Sequence, residues 1–461
     1  MNPGIACLVG LGLSINAALA ASADDNWPQW RGPHQDGVAP KADPPMTWSE
    51  TKNVKWKVAV PGEGHATPIV WGDKIFVQTA VGTGKKPDAG APAPNEIGQG
   101  QDRPRGPVGP GGRPGGPGGR GGFGGQPPTQ SYQFTLMCLD RGTGRTVWKQ
   151  IAREALPHEG HHPTGSFASP SPVTDGENVY AYFGSQGLYC YDMNGNLKWS
   201  QDLGDMKIQN GFGEGSSPAI HGDTIVVAWD NEADDFVAAL NKKDGKILWK
   251  KPREERTAWS TPLIVEHDGK AQVITTATGR VRSYDLKTGE LIWEHAGLTR
   301  NTIPSPVAAN GVAYVMSGFQ GNALYAIKLG KTGDLTDTDS VIWKHAKSTP
   351  YVPSPLLSND RLYFFSNNNE VLSCFDAKTG KANYEGERIE GLKGVYASPI
   401  AANGRVYLVG RNGGTVVIKD SDKLEVLATN SLDENFDASP VALGKELFLR
   451  GHSNLYCIAE K

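Results

Sequence analysis

Cysteine is scarce in this chain: 5 among 461 residues, with no adjacent pair and no C-x-x-C-H run. That spacing excludes covalent c-type haem attachment. A dominant charge of one sign is also missing, since the formal net charge is −3. The chain therefore has no global field to hold nucleic acid or an anionic membrane surface. Nor is there a long apolar run: Ile5 to Ala20 is too short and too rich in glycine for a spanning helix.

That same segment is expected to be a secretory leader, residues 1–23. It is apolar, rich in small residues, and ends on Ala18-Leu19-Ala20, an A-x-A cleavage signal. Its first residues lack the usual Lys or Arg. Cys7 lies too early to be a lipoprotein cysteine. The expectation is an exported protein, periplasmic or extracellular, not membrane-spanning and monomeric.

What the chain has in abundance is glycine (58), proline (32) and tryptophan (12). Eight Ser-Pro or Thr-Pro pairs, ending at Pro68, Pro172, Pro218, Pro262, Pro306, Pro355, Pro399 and Pro440, each introduce a short apolar run. From Pro172 onward they recur every 41 to 49 residues, a period that marks a repeat architecture. A well-formed unit reads Thr261-Pro262-Leu-Ile-Val, Ala271 to Thr276, Arg280 to Asp285 and Glu290 to Trp293. These are four short β-branched and aromatic strands separated by turn residues. Asp285-Leu-Lys-Thr-Gly289 joins the last two strands as a hairpin whose Gly can take a positive φ. Four strands of this kind make one propeller blade.

The expected fold is all-β, an eight-bladed β-propeller in one domain, residues 24–461. Trp56, Trp148, Trp199, Trp249, Trp293 and Trp343 fall on fourth strands and are expected to dock each blade on its neighbour. The sixth repeat has Tyr384 there, and the seventh only Val426 or Leu427. The eighth stops at Leu455 to Lys461 without a fourth strand. Residues 53–60, carrying Trp56, are expected to supply it and close the ring, which removes exposed sheet edges. Cys138, Cys190, Cys374 and Cys457 form an even set that invites disulfides in an exported protein. Their equivalent repeat positions point instead to a shared packing slot.

Residues 82–131 interrupt the first blade with Gly, Pro and Arg, a composition too poor in apolar side chains to offset its ordering entropy. A disordered loop is expected. It has no sustained G-X-Y period, so a collagen helix is excluded. Its four Arg residues among glycines match RGG-type RNA-binding segments, but a solvated loop is the reading, with no nucleic acid as partner.

The S-P…D-x-x-T-G-x-x-x-W unit resembles the pyrroloquinoline-quinone (PQQ)-type propeller repeat over about residues 53 to 461. The G-H and W-D signatures of WD40 units are absent. The opening Asn26-Trp-Pro-Gln-Trp-Arg-Gly-Pro33 is similar to the start of secreted bacterial proteins of this class. The resemblance implies two kinds of function. Some members are quinoprotein dehydrogenases using PQQ and Ca²⁺; others, such as the outer-membrane assembly factor BamB, bind no quinone. The dehydrogenases also carry an adjacent Cys-Cys disulfide over the cofactor, which this chain lacks.

Segments just ahead of the Pro pairs are expected to meet at one rim of the channel. They bring His65, Glu214, Arg256, Trp259, Arg300, Asn301, Tyr351, Tyr396, Asn435 and Asp437 together as ligand-binding candidates. Glu214, Asn301 and Asp437 have the right chemistry for calcium ligands or a base, and Trp259 for stacking. His158-Glu-Gly-His161-His162 contains H-E-x-x-H, but Pro157, Gly160 and Pro163 argue against the helix that a zinc protease needs. These histidines are weak metal candidates. The expected function is non-catalytic binding or scaffolding in the cell envelope, with an envelope protein or small molecule as partner. The alternative is a PQQ- and Ca²⁺-dependent alcohol or sugar dehydrogenase; a propeller that binds a sugar or other small ligand on its aromatic rim is the third.

Overall fold

In the computed structural model, residues 23–86 and 124–460 are described. Eight sheets, each built on four antiparallel strands, follow one another along the chain. Helix among the described residues amounts to three 3₁₀ turns of three residues each, and none is long and apolar enough to cross a membrane. The leader expected over residues 1–23 and most of the insertion expected over 82–131 lie outside the described residues. The two ends of that insertion are paired, Gly82 with Tyr132 and Thr83 N–H with the Ser131 carbonyl.

Blade 1 comprises Ile69–Trp71, Lys74–Gly82, Tyr132–Asp140 and Thr146–Ala155. Blades 2 to 7 repeat this order. Blade 8 takes Val441–Leu443, Glu446–Arg450 and Asn454–Ile458 from the end of the chain, and Val54–Ala59 from its beginning. Trp56 lies opposite Cys457 in that sheet, so the ring closes as expected. Glu446 clamps the seam, accepting from Lys55 Nζ (2.7 Å) and Arg141 Nε (2.6 Å).

The turn and the tryptophan of each repeat form one joint. In Asp285 to Gly289, Asp285 Oδ1 accepts from the Thr288 amide (2.8 Å) and Gly289 N–H bonds back to the Asp285 carbonyl (2.8 Å). Gly289 has φ +71°, and a Cβ there would lie 2.6 Å from the Trp249 ring of the preceding blade. Trp249 Nε1 donates to the Leu286 carbonyl in the same turn (2.9 Å). Trp56, Trp148, Trp199 and Trp343 repeat the bond onto Arg141, Met193, Lys242 and Ala377. Trp293 is the exception. Blade 5 replaces the tight turn with a longer connection, which adds Gly333–Asp334 beside Trp293 as an extra strand, and Trp293 bonds Gln272 instead.

The cysteines occupy the slot opposite that ring. Cys138 faces Trp148, Cys190 faces Trp199, Cys374 faces Tyr384 and Cys457 faces Trp56. Other blades use Ala239, Ser283 and Ala326. All four cysteines are buried and free. In blade 7 the position belongs to Ala428, opposite Val417, and not to Val426 or Leu427, which are exposed. There the larger residue has moved to the third strand. The core is correspondingly divided into clusters between blades, such as Tyr180, Tyr182, Val227, Trp229 and Phe236 between blades 2 and 3.

Eight hydroxyls ring the channel. The backbone N–H of Thr67 donates to Ser171 Oγ (2.9 Å), Ser171 to Ser217 (2.9 Å), Ser217 to Thr261 (3.0 Å) and Thr261 to Ser305 (2.9 Å). Ser305 donates to Ser354 (2.9 Å), Ser354 to Ser398 (2.9 Å), Ser398 to Ser439 (3.0 Å), and Ser439 back to Thr67 Oγ1 (3.1 Å). Each is the residue before a ladder proline. The pair thus supplies a hydroxyl acceptor for the amide of the preceding blade and a strand start without a donor.

Residues 26–48 cross the opposite end of the innermost strands. Trp27 pairs with Val70, Val38–Ala39 with Ala401–Ala402, and Asp43 N–H with the Gly444 carbonyl. The buried Arg31 guanidinium donates to the Pro355 (2.8 Å) and Pro399 (2.9 Å) carbonyls. Trp30 reaches into the channel below the hydroxyl ring.

Candidate functional site

Above the hydroxyl ring the channel opens into a funnel of about 530 Å³. Seven of the ten rim candidates line it: His65, Glu214, Trp259, Asn301, Tyr351, Tyr396 and Asp437. Arg256, Arg300 and Asn435 do not; their side chains are exposed on the outer surface of the same connections. Being ahead of a Pro pair places a residue on the rim, but these connections are irregular and not every side chain on them faces the channel.

The wall carries five aromatic rings, Phe212, Trp259, Phe319, Tyr351 and Tyr396. Tyr351 stacks on Phe319 at 4.8 Å, and Trp259 is fixed by donating to the Gly213 carbonyl (2.7 Å). Tyr396 lies under the Arg411 guanidinium at 4.0 Å. Asn301, with φ +53°, is buried in the wall. Phe319 and Arg411 come from the turns between second and third strands, a source of rim residues that the Pro ladder does not reveal. Phe212 and His162 complete this side.

Both funnel carboxylates are engaged within the protein. Asp437 accepts from Arg411 Nε (2.6 Å) and Nη2 (3.1 Å), and shares a bond with His452 Nε2 (2.9 Å). Burial pushes its carboxyl up, but His452 and Arg411 outweigh burial and hold it below the usual carboxylate range. Glu214 accepts from the Ser185 amide (2.7 Å) and hydroxyl (2.5 Å). Burial dominates there and raises it to about 7, against the pull of Ser185. Burial likewise pushes His65 down to about 4, with Asp437 opposing.

The H-E-x-x-H histidines diverge. His158 meets the Met206 carbonyl (2.7 Å), His161 the Glu63 carboxylate (3.3 Å) and His162 the Thr164 hydroxyl (2.8 Å), all on a non-helical loop. Among the described residues, the three-donor grouping compact enough for an ion is His65, Asp437 and His452. His452 escaped sequence reading for the same reason as Arg411: it sits on a turn between second and third strands.

A family model described as outer membrane protein assembly factor BamB matches residues 133–385. The outer membrane protein assembly factor BamB of Legionella pneumophila (strain Paris) is 26% identical over 203 residues, 42% of this chain and 48% of that protein. The match thus spans about half of the relative's length. Among solved structures, quinohemoprotein alcohol dehydrogenase from Comamonas testosteroni superposes with a TM-score of 0.57 at 9% identity, over 96% of this chain and 82% of that one. BamB from Moraxella catarrhalis gives 0.50 at 12% identity, over 70% and 91%. At these identities the structures share the fold.

Proposed function

This chain belongs to the family described as outer membrane protein assembly factor BamB, and from that premise we propose a non-catalytic binding propeller, exported to the cell envelope, that receives a protein partner at its funnel and acts as an assembly scaffold. The observation that carries this reading is an aromatic wall whose carboxylates are already satisfied by internal partners. Rigid aromatic anchors favour docking of a partner side chain or loop.

A PQQ–Ca²⁺ centre does not fit these residues. Calcium takes about 6–8 oxygen ligands, whereas Asp437 is surrounded by a guanidinium and two imidazoles, and both Glu214 oxygens face Ser185. The four described cysteines are buried inside separate blades.

Two measurements test the reading. Purified protein supplied with PQQ and Ca²⁺ is expected to show no rise in Tm and no dye-linked alcohol or sugar oxidation; turnover would overturn the proposal. A deletion strain of the source bacterium is expected to accumulate fewer folded outer-membrane barrels, seen by heat-modifiable electrophoresis. The wild-type gene should restore them, and a variant with Trp259, Phe319, Tyr351 and Tyr396 replaced by Ser should not. Equal rescue by both genes would remove the funnel from the mechanism.

A further inference from the structure

The seam where blade 8 meets blade 1 carries a second feature that the scaffold reading does not use. His65, Asp437 and His452 arrive from three separate backbone segments: two connections ahead of Pro pairs and one turn between strands. Their ligating atoms all lie within 4.8 Å of one another. The two imidazoles stack at 5.0 Å with an interplanar angle of 20°. Both Nε2 atoms point at the same oxygen, Asp437 Oδ2, at 3.8 Å from His65 and 2.9 Å from His452.

The backbone holds this arrangement in place. Arg450 donates to the Ala66 carbonyl beside His65 (3.2 Å), and the Ser166 hydroxyl accepts from the His65 amide (3.2 Å). The His452 amide donates to the Asn435 carbonyl (3.0 Å), tying its turn to the connection that carries Asp437. Arg411 Nε occupies the other carboxylate oxygen, Oδ1, and orients the group as an outer partner.

We propose that His65, Asp437 and His452 form a binding site for a divalent late first-row transition ion, with Zn²⁺ as its probe, on the wall of the funnel. Two imidazole nitrogens and one carboxylate oxygen are the donor set such ions take, and three protein ligands leave a fourth position open. The ligating atoms start within 4.8 Å of one another, so drawing them to about 2.0–2.2 Å from one ion calls for only short shifts. His65 and Asp437 line the funnel, so the open position faces whatever enters it. Arg411 places a positive charge nearby, and its Nη2 also donates to Oδ2 (3.1 Å), so an ion has to compete with that bond.

The test uses the full, tag-free chain after dialysis against a chelator. Zn²⁺ titrated by calorimetry is expected to bind once per chain, and Co²⁺ at the same site to give the intense visible bands of a four-coordinate ion. His452→Gln should weaken binding at least tenfold; with the side chain 40% exposed, this variant retains the fold, checked by its circular dichroism. His65→Gln should do the same. A control with His158 and His161 both changed to Gln should bind as the wild type does. Absence of stoichiometric binding would overturn the proposal. So would binding that survives His452→Gln, or binding that the control abolishes.

Discussion

The funnel holds two carboxylates whose surroundings push them in opposite directions. Asp437 is kept ionised by Arg411 and His452; Glu214 is raised to about 7 by burial. For Glu214 this has a definite sign in stability. An unfolded glutamate titrates near ~4.3, so the folded chain binds this proton more tightly. The burial penalty is therefore absent below the unfolded value, grows as the pH rises toward 7, and is fully present above it. Ser185, which donates to the carboxylate, and His158 and Glu159, which act on it through space, are the groups that set this balance. Glu214→Gln removes the ionisation while preserving shape. It is expected to raise Tm by about 2 °C or more above pH 7 and to leave it unchanged below pH 4.5, measured by thermal scans across pH. An equal shift at every pH would mean that packing, not ionisation, is responsible.

Between elements, the informative joint is the D-x-x-T-G turn against the tryptophan of the preceding blade. Two glycines with the same φ of +69° separate its two contributions: a Cβ on Gly380 would meet Trp343 at 2.4 Å, while one on Gly404 meets nothing within 4 Å. Gly404→Ala carries only the left-handed backbone penalty, about 1–2 kcal/mol. Gly380→Ala must also displace the indole, and is expected to lose roughly 1–3 kcal/mol more. Urea unfolding of the two variants measures the difference, and equal losses would show that the ring does not seal the seam. This joint also marks what could be read beforehand. Proline, turn and aromatic recur at spacings of 41 to 49 residues because most blades need the same strand start, hairpin and contact. That made the strands, the cysteine slot and the closing Trp56 legible. Blade 5 escaped because its turn is replaced by a connection that returns to blade 4, and Ala428 escaped because the bulky partner there is Val417 on the facing strand. At the site, residues ahead of the Pro pairs were legible as a set. Arg411, His452 and Phe319 were not, because short turns between second and third strands carry no repeated signal.

For the whole molecule, the Ser and Thr before the prolines raise a question of closure. Eight blades could form an arc held shut at one seam by Trp56 and Glu446, or a ring without a weak point. The hydroxyl circle distinguishes the two. Its closing link, Ser439 N–H to Thr67 Oγ1 at 3.1 Å, has nearly the length of an interior link such as Ser305 N–H to Ser354 Oγ at 2.9 Å. Ser354→Ala leaves the Ser305 amide without an acceptor in a buried channel wall, and Thr67→Val does the same to Ser439 while keeping the side-chain shape. An unmet buried donor costs about 1–3 kcal/mol, and in a true ring the two variants should fall within about 0.5 kcal/mol of each other. The links are far apart around the circle, so the double variant should lose close to the sum. Hydrogen exchange supplies the independent readout: the Ser305 amide should lose protection in the first variant and the Ser439 amide in the second, each without its counterpart. If Thr67→Val cost almost nothing, or if it released the amides of every blade at once, the circle would have an end at the Trp56 seam. The propeller would then be a clasped arc, and the funnel beside that seam, with His65 and Asp437 on its wall, would be the part of the molecule able to open.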